Sequence, residues 1–338
     1  MTLQIWLLSD GQPGHDSLSH GIVAALQRRQ PVEVQLVALH LRFGLARNLM
    51  RFMLNRGVFP PAAFLRLFYS MGALPDGRCD LIVSAGGKTS FASAWLAQSL
   101  QVPNVFYGSL RRLSASLFTQ VLTVEPLDPA AANNLVLSIP PSAIDASEVP
   151  AQGAELRQQL ALGGEPLWLM LLGGNGAGYS YLKDDWTQLA RAMASLSERH
   201  GVRWLLLASR RTGDDVRRIM SEKLPLTMLA AVDWGREIDA MTVAACLGAA
   251  ERTFVTEDSM TMISEAIHAG SPVTTLQPGR IDSTPRYEAM LTAFAEHFGI
   301  QRKRIVTLGK MSEWPERTAP ESLHDELANR LYEKLPIC

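Results

Sequence analysis

A chain of 338 residues that is 47% hydrophobic and 19% charged has the makeup of an ordinary folded protein, with one large domain or two. Its net charge of −1 excludes broad nucleic-acid binding, so any basic surface has to be local. Cys79, Cys246 and Cys338 lack metal or redox spacing, no basic segment precedes the first apolar run, and no apolar stretch reaches the ~18–20 residues of a membrane span. The expectation is a cytoplasmic protein, peripheral at most on the inner face of a membrane.

In chain order, the apolar run "LQIWLL" reads as a buried strand and enters "SDGQPGHDSLSHG" at residues 9–21. Gly11, Pro13 and Gly14 suit a tight turn, Asp16 or Ser17 a helix cap, and residues 17–29 the helix itself. The runs "VEVQLVAL", "CDLIVSAGG", "PNVFYG" and "TQVLTVE" read as further strands, with a helix over residues 89–100. From within "VEVQLVAL" to just before "CDLIVSAGG", residues 34–75 contain no acidic residue. Arg42, Arg47, Arg51, Arg56 and Arg66 are set there among Phe43, Phe52, Phe59, Phe64, Phe68 and Tyr69. Such a pattern over residues 40–70 suits an amphipathic surface on an anionic membrane. The alternative is a buried helical pair with its arginines pointing outward.

Residues 146–164, rich in small residues and with a weak helical patch, suit a linker. Beyond it the strands are "PLWLMLLGG", "VRWLLLAS", "ERTFVTED" and "PVTTLQ". The helices between them are expected over residues 183–199, 214–222, 237–247 and 260–269. Alternation of this kind builds parallel sheets covered by helices on both faces. Each half opens with a buried strand, a glycine-rich loop and a helix, first "IWLLSDGQPGHDS", then "WLMLLGGNGAGYS". The expected fold is α/β, with two Rossmann-like doubly wound domains facing across a cleft. Residues 1–145 and 165–318 would form the two domains, and 319–338 a last helix packing back across the junction.

Several motifs fail on inspection. "GGKTS" at residues 86–90 resembles the end of a P-loop, but the required earlier glycine is Ile82. "GGNGAG" lacks dinucleotide spacing, because Tyr179 stands where the third glycine belongs. There is no nucleophile elbow, no zinc spacing and no Asp-x-Asp, so no metal is called for.

Open parallel sheets bind ligands beyond the carboxyl ends of their strands, where helix N-termini favour anions. On the second half, Gly173, Gly174 and Asn175 can bring backbone amides to a phosphate. Glu257, Asp258, Ser259 and Met260 lie where a strand enters a helix, and Ser259 can cap that helix or donate to a phosphate. Glu265 lies about two turns into it, where an acid can hold ribose hydroxyls or be simply a solvated helix residue. Ser209, Arg210 and Arg211 follow another strand end and suit a diphosphate or a base. On the first half, Gly11, Gly14, Gly86, Gly87 and Lys88 form the corresponding acceptor or phosphate side.

Two-domain proteins whose glycine-rich first loop ends in Gly-His resemble GT-B glycosyltransferases of the peptidoglycan MurG type. More specifically, "SDGQPGH", "SAGGKTS", "LLGGNGAGY" and "TEDSMTMISEAIHAGSPV" occur in the order of the family named after a plant mitochondrial-fission factor, the elongated-mitochondria type. The resemblance spans most of the chain. It implies a C-terminal domain holding a nucleoside-diphosphate sugar, with Gly173 and Gly174 in the first loop and Glu265 on the ribose. It also implies an N-terminal acceptor domain in which His15 faces the reaction. The chain departs from the transferase pattern at Asp10, Gln12 and Pro13, where small residues are usual.

The leading expectation is an inverting glycosyltransferase with His15 as base and Asp10 orienting it or serving as base, acting on a membrane- or envelope-associated acceptor. His20 falls outside this set as a structural residue. An epimerase or hydrolase of the same fold, and a non-catalytic membrane adaptor, are the alternatives. No tightly bound cofactor is implied; the nucleotide sugar is a substrate.

Overall fold

The computed structural model describes residues 2–44, 46–235, 237–316 and 323–335. The chain divides into two units, Met1–Ala143 with Ser322–Cys338, and Ile144–Glu321. Cys338 and residues 320–322 lie outside the described residues.

The first unit starts with strand β1 (Leu3–Ser9). Its side chains alternate between two cores: Leu3, Ile5 and Leu7 join one, Trp6 and Leu8 the other. Burial on both faces is why this strand shows no polar alternation. Helix α1 (Pro13–Gln27), β2 (Val32–Leu41), α2 (Ala46–Asn55), a 3-10 turn (Ala62–Leu67) and β3 (Tyr69–Met71) follow. Then come β4 (Leu81–Ala85), α3 (Thr89–Leu100), β5 (Asn104–Tyr107), β6 (Gln120–Thr123) and β7 (Asn134–Val136). The sheet runs β3-β2-β1-β4-β5-β6-β7, parallel except for the antiparallel β2–β3 pair. The winding reverses between β1 and β4, so their carboxyl ends form the switch point of this sheet.

Helix α1 begins four residues before the expected residue 17. Gln12 takes the cap position without a side-chain bond and Pro13 opens the helix. Proline's fixed φ and missing N–H fit the first turn. Asp16 therefore lies in that turn rather than at the cap, and Gly14 and His15 are helical.

The second unit comprises α4 (Val149–Gln159), β8 (Leu167–Leu172), β9 (Tyr179–Ser180), α5 (Lys183–His200), β10 (Arg203–Ala208), α6 (Asp214–Lys223) and β11 (Leu229–Asp233). It continues with α7 (Val243–Ala249), β12 (Arg252–Thr256), α8 (Met260–His268), β13 (Val273–Gln277), β14 (Arg280–Ile281), α9 (Pro285–Phe298), β15 (Gln301–Arg304) and α10 (Ile305–Leu308). Its main sheet, β11-β10-β8-β12-β13-β15, is parallel throughout, and its switch point lies between β8 and β12. An aromatic cluster of Trp168, Trp204, Phe254 and Trp314 fills one side, with ring centroids 5.0–5.8 Å apart.

Residues 146–164, read as a linker, hold α4, which packs on α7 through a pair of glycines. A Cβ on Gly153 would lie 2.1 Å from the Gly248 carbonyl carbon, and one on Gly248 1.9 Å from the Val149 oxygen. The small residues that suggested a linker serve close helix contact instead. Helix α7 starts at Val243, not 237, because Thr242 caps it and the Asp233 carboxylate accepts the amides of Gly235, Glu237 and Ile238. The last helix, α11 (Leu323–Tyr332), belongs to the first unit, where Leu327, Ala328 and Leu331 join the core of α1. Each unit is thus a Rossmann-like, doubly wound α/β sheet, as the sequence predicts.

Candidate functional site

In the first unit, the loop after β1 meets the loop after β4. Asp10 is buried, with 1% of its side chain exposed, whereas His15 on the first turn of α1 is 37% exposed. His15 Nδ1 lies 3.0 and 3.1 Å from the two Asp10 carboxylate oxygens. Asp10 Oδ1 also accepts the Gln12 amide at 3.2 Å. An ionised carboxylate only accepts, so Nδ1 carries the proton and Nε2 keeps its lone pair in the neutral ring. A half-exposed imidazole held in this way can act as an oriented general base.

The imidazole rests directly on Gly86. A Cβ there would lie 2.3 Å from Nδ1, and Gly86 has φ +88°, a conformation that side chains rarely adopt. Gly87 is covered in the same way by Arg111, whose Nε would lie 2.2 Å from a Cβ. The two glycines of "SAGGKTS" thus admit a histidine ring and a guanidinium. Arg111 escaped the sequence reading; the only signal was a pair of arginines shortly after the strand "PNVFYG". Lys88 is exposed at the start of α3, and its carbonyl accepts the Tyr69 hydroxyl at 2.6 Å. Burial raises the Tyr69 phenol's pKa, and the nearby Asp10 charge adds to the effect, so the phenol stays neutral. Gly11, at φ +72°, lies against His40; Gly14 is in α1, and His20 is exposed.

In the second unit, the loops after β8 and β12 are bound to each other. The Gly173 amide donates to Thr256 Oγ1 at 2.7 Å and the Gly174 amide to Asp258 Oδ2 at 3.1 Å. These two amides are therefore engaged by side chains, contrary to their expected phosphate role. A Cβ on Gly173 would sit 2.2 Å from Asp258 Oδ1, which explains why a glycine is needed there. Of the arginine pair, Arg211 comes to this loop, donating to Asp258 Oδ2 at 2.7 Å, while Arg210 is exposed. Burial raises the pKa of Asp258 against the opposing pull of these bonds.

Glu257 is not available to a ligand. Its fully buried carboxylate accepts two bonds from Arg302, each 2.8 Å, and one from Thr275 at 2.6 Å. Ser259 holds the cap position of α8 without a side-chain cap bond, so its expected capping role is not seen. Met260 is the first helical residue and Glu265 is half-buried on the second turn. Asn175 is exposed and its Oδ1 accepts the Tyr181 amide at 2.8 Å. Ser209 accepts the Arg211 amide at 3.1 Å, closing the turn that presents that arginine. Among the described residues no group of three or more His, Cys, Asp or Glu side chains is placed to hold a metal ion.

The family model described as mitochondrial fission ELM1 matches residues 13–335. The chain belongs to that family. No curated protein matches the sequence. Among solved structures, the UDP-GlcNAc 2-epimerase of Methanocaldococcus jannaschii is similar at TM-score 0.57 and 13% identity, over 98% of this chain and 100% of that one. The UDP-GlcNAc 2-epimerase of Neisseria meningitidis, bound to UDP-GlcNAc, is similar at TM-score 0.54 and 12% identity, covering 98% and 99% of the two chains. Acinetobacter baumannii MurG is similar at TM-score 0.45 and 12% identity, covering 98% and 90%. The ELM1-family chain therefore has the GT-B fold shared by nucleotide-sugar enzymes; at these identities the likeness speaks for the fold alone.

Proposed function

We propose that the protein is an inverting glycosyltransferase that uses a nucleoside-diphosphate sugar and a hydroxyl acceptor carried by a membrane or envelope molecule. The observation that carries this reading is the Asp10–His15 pair, a half-exposed imidazole held by a buried carboxylate. In the step, the acceptor oxygen attacks the anomeric carbon as its proton passes to His15 Nε2. The bond from that carbon to the diphosphate breaks, and the leaving oxygen keeps the electron pair. Asp10 fixes the ring and stabilises the imidazolium that forms.

The second unit is assigned the donor. With the Gly173 and Gly174 amides engaged, the anion site falls to the N-terminus of α8, around Ser259 and Met260, with Arg211 beside it. Glu265 on that helix is assigned the ribose. Lys88 and Arg111 in the first unit supply cations to a phosphate on the acceptor side.

The test pairs a binding readout with a turnover readout. Melting points are measured with UDP-, GDP-, ADP-, TDP- and CMP-sugars, and nucleoside diphosphate release is measured with a lipid extract as acceptor. One sugar nucleotide should raise the melting point, and Glu265→Ala should remove that shift. His15→Ala and Asp10→Asn should keep the shift and lower transfer by about 10²–10⁴-fold. If no nucleotide sugar raises the melting point, donor use is refuted and the adaptor reading gains. Conversion of the donor with no acceptor present would replace transfer with epimerisation or hydrolysis.

A further inference from the structure

Among the described residues twelve large hydrophobic side chains are exposed, and six of them fall within residues 43–67. Four of the six lie on two elements of the first unit that pack on the same helix. Helix α2 and the 3-10 turn over Ala62–Leu67 both pack on α3, burying Met50, Leu54 and Leu65 against Phe91 and Trp95. The opposite sides of the same two elements carry Leu49 and Phe52, and Phe64 and Leu67, with exposures of 51–61%. Phe43, just before α2, is exposed to 56%. An exposed apolar face of this kind marks an interaction surface.

The charges around it identify the partner. Arg42, Arg47, Arg56 and Arg66 are exposed and Arg51 is half-buried, and none of the five forms an ion pair among the described residues. Arg47 and Arg66 donate to backbone carbonyls, Arg51 to Asn48, and Arg56 lies 4.8 Å over the Phe52 ring. With no acid from residue 34 to residue 75, this surface has no counter-charge in its own sequence. A second copy docking through the same face would set arginines against arginines. A lipid surface meets both needs at once: acyl chains receive phenylalanine and leucine, and anionic headgroups receive guanidinium groups.

We propose that the outer face of α2 and the Ala62–Leu67 turn seats the first unit on an anionic bilayer. This rests on the surface of one unit and stands apart from the transferase reading. The experiment is vesicle flotation with the full chain, using phosphatidylcholine alone and phosphatidylcholine with roughly one-third phosphatidylglycerol. The protein should float with the anionic vesicles only, and less so as salt is raised. Changing Arg47, Arg51 and Arg56 to glutamate should lower the affinity by more than about a hundredfold. Phe52→Ser with Phe64→Ser should also weaken it without adding charge. Unchanged circular dichroism and an unchanged melting point in the absence of vesicles would show that the variants are folded. Equal binding to neutral vesicles, binding unaltered by the glutamate variants, or no binding to either vesicle would overturn the proposal. So would a concentration-dependent dimer in sedimentation that the same variants dissolve, which would make the occupant a second copy.

Discussion

Both units place the loop after their first strand against the loop that crosses the switch point, yet they use the juxtaposition in opposite ways. In the first unit the contact leaves its polar groups facing outward. His15 and Arg111 lie over bare glycine backbone and remain exposed, and only the supporting Asp10 is buried. In the second unit the contact consumes its polar groups: two glycine amides are bound by Thr256 and Asp258, and Glu257 is bound by Arg302 and Thr275. A loop that spends its donors on itself is braced, and a loop that keeps them is free to supply the reacting groups that the proposed function assigns to it. Mutations of the braced residues in the second unit should therefore damage stability, and mutations of the His15 support in the first should damage the proposed activity.

The largest effect is expected at the brace. Arg302→Ala leaves the Glu257 carboxylate buried without its cation, at a cost of about 3–5 kcal/mol. Denaturant unfolding measures it, and Arg302→Ala combined with Glu257→Gln should recover part of the loss. If Arg302→Ala unfolds at the wild-type midpoint, the brace contributes nothing and the contrast fails. Gly86→Ala tests the other side. Its Cβ needs the space of the His15 ring, so nucleotide-sugar turnover should fall by about 10²-fold. The strain at φ +88° should cost only about 1–2 kcal/mol of stability. A variant that turns over at the wild-type rate would mean that the ring position is irrelevant.

Much of this contrast was legible in the sequence, though unevenly. The strand-loop-helix opening of each half located both switch points, because a buried parallel strand ending in glycines is a strong local pattern. His15 beside Asp10 followed from the same loop. The fate of Glu257 did not, since Arg302 lies 45 residues away on β15. The polar run "QRKR" gives no strand signal, because it forms the edge of the sheet. Arg111 was missed for a related reason: its position depends on the backbone near Gly87, which no spacing rule reveals. The glycines of α4 and α7 were legible as small residues but not as a helix contact, because one does not see its partner in the sequence.

A smaller effect is expected at Thr256→Val, which keeps the shape of the side chain and removes the acceptor for the Gly173 amide. The buried amide left unpaired should cost about 1–3 kcal/mol, with turnover per folded molecule close to wild type. A loss of turnover larger than the loss of stability would show that the second unit's loop also reacts, blurring the distinction between the units.

The smallest effect is a pH dependence within the brace. Burial pushes Glu288 up, but bonds from Tyr179 and Arg302 outweigh it and hold this carboxyl below its ordinary value of 4.5. A carboxyl depressed in the folded state contributes stability in full above its unfolded pKa and loses it as pH falls through the folded one. Asp258 has the opposite sign, since burial raises it above its ordinary 3.8, so its contribution is full in acid and declines as pH rises through the raised value. The two carboxyls therefore oppose each other in the acid range. Glu288→Gln should flatten the fall in melting temperature below about pH 4.5 while lowering the plateau at neutral pH, where the wild-type carboxylate pairs with Arg302 at 2.7 Å. Melting curves at closely spaced pH values measure it. A variant with the wild-type acid slope would remove Glu288 from the brace and leave Glu257 as the carboxylate that Arg302 serves.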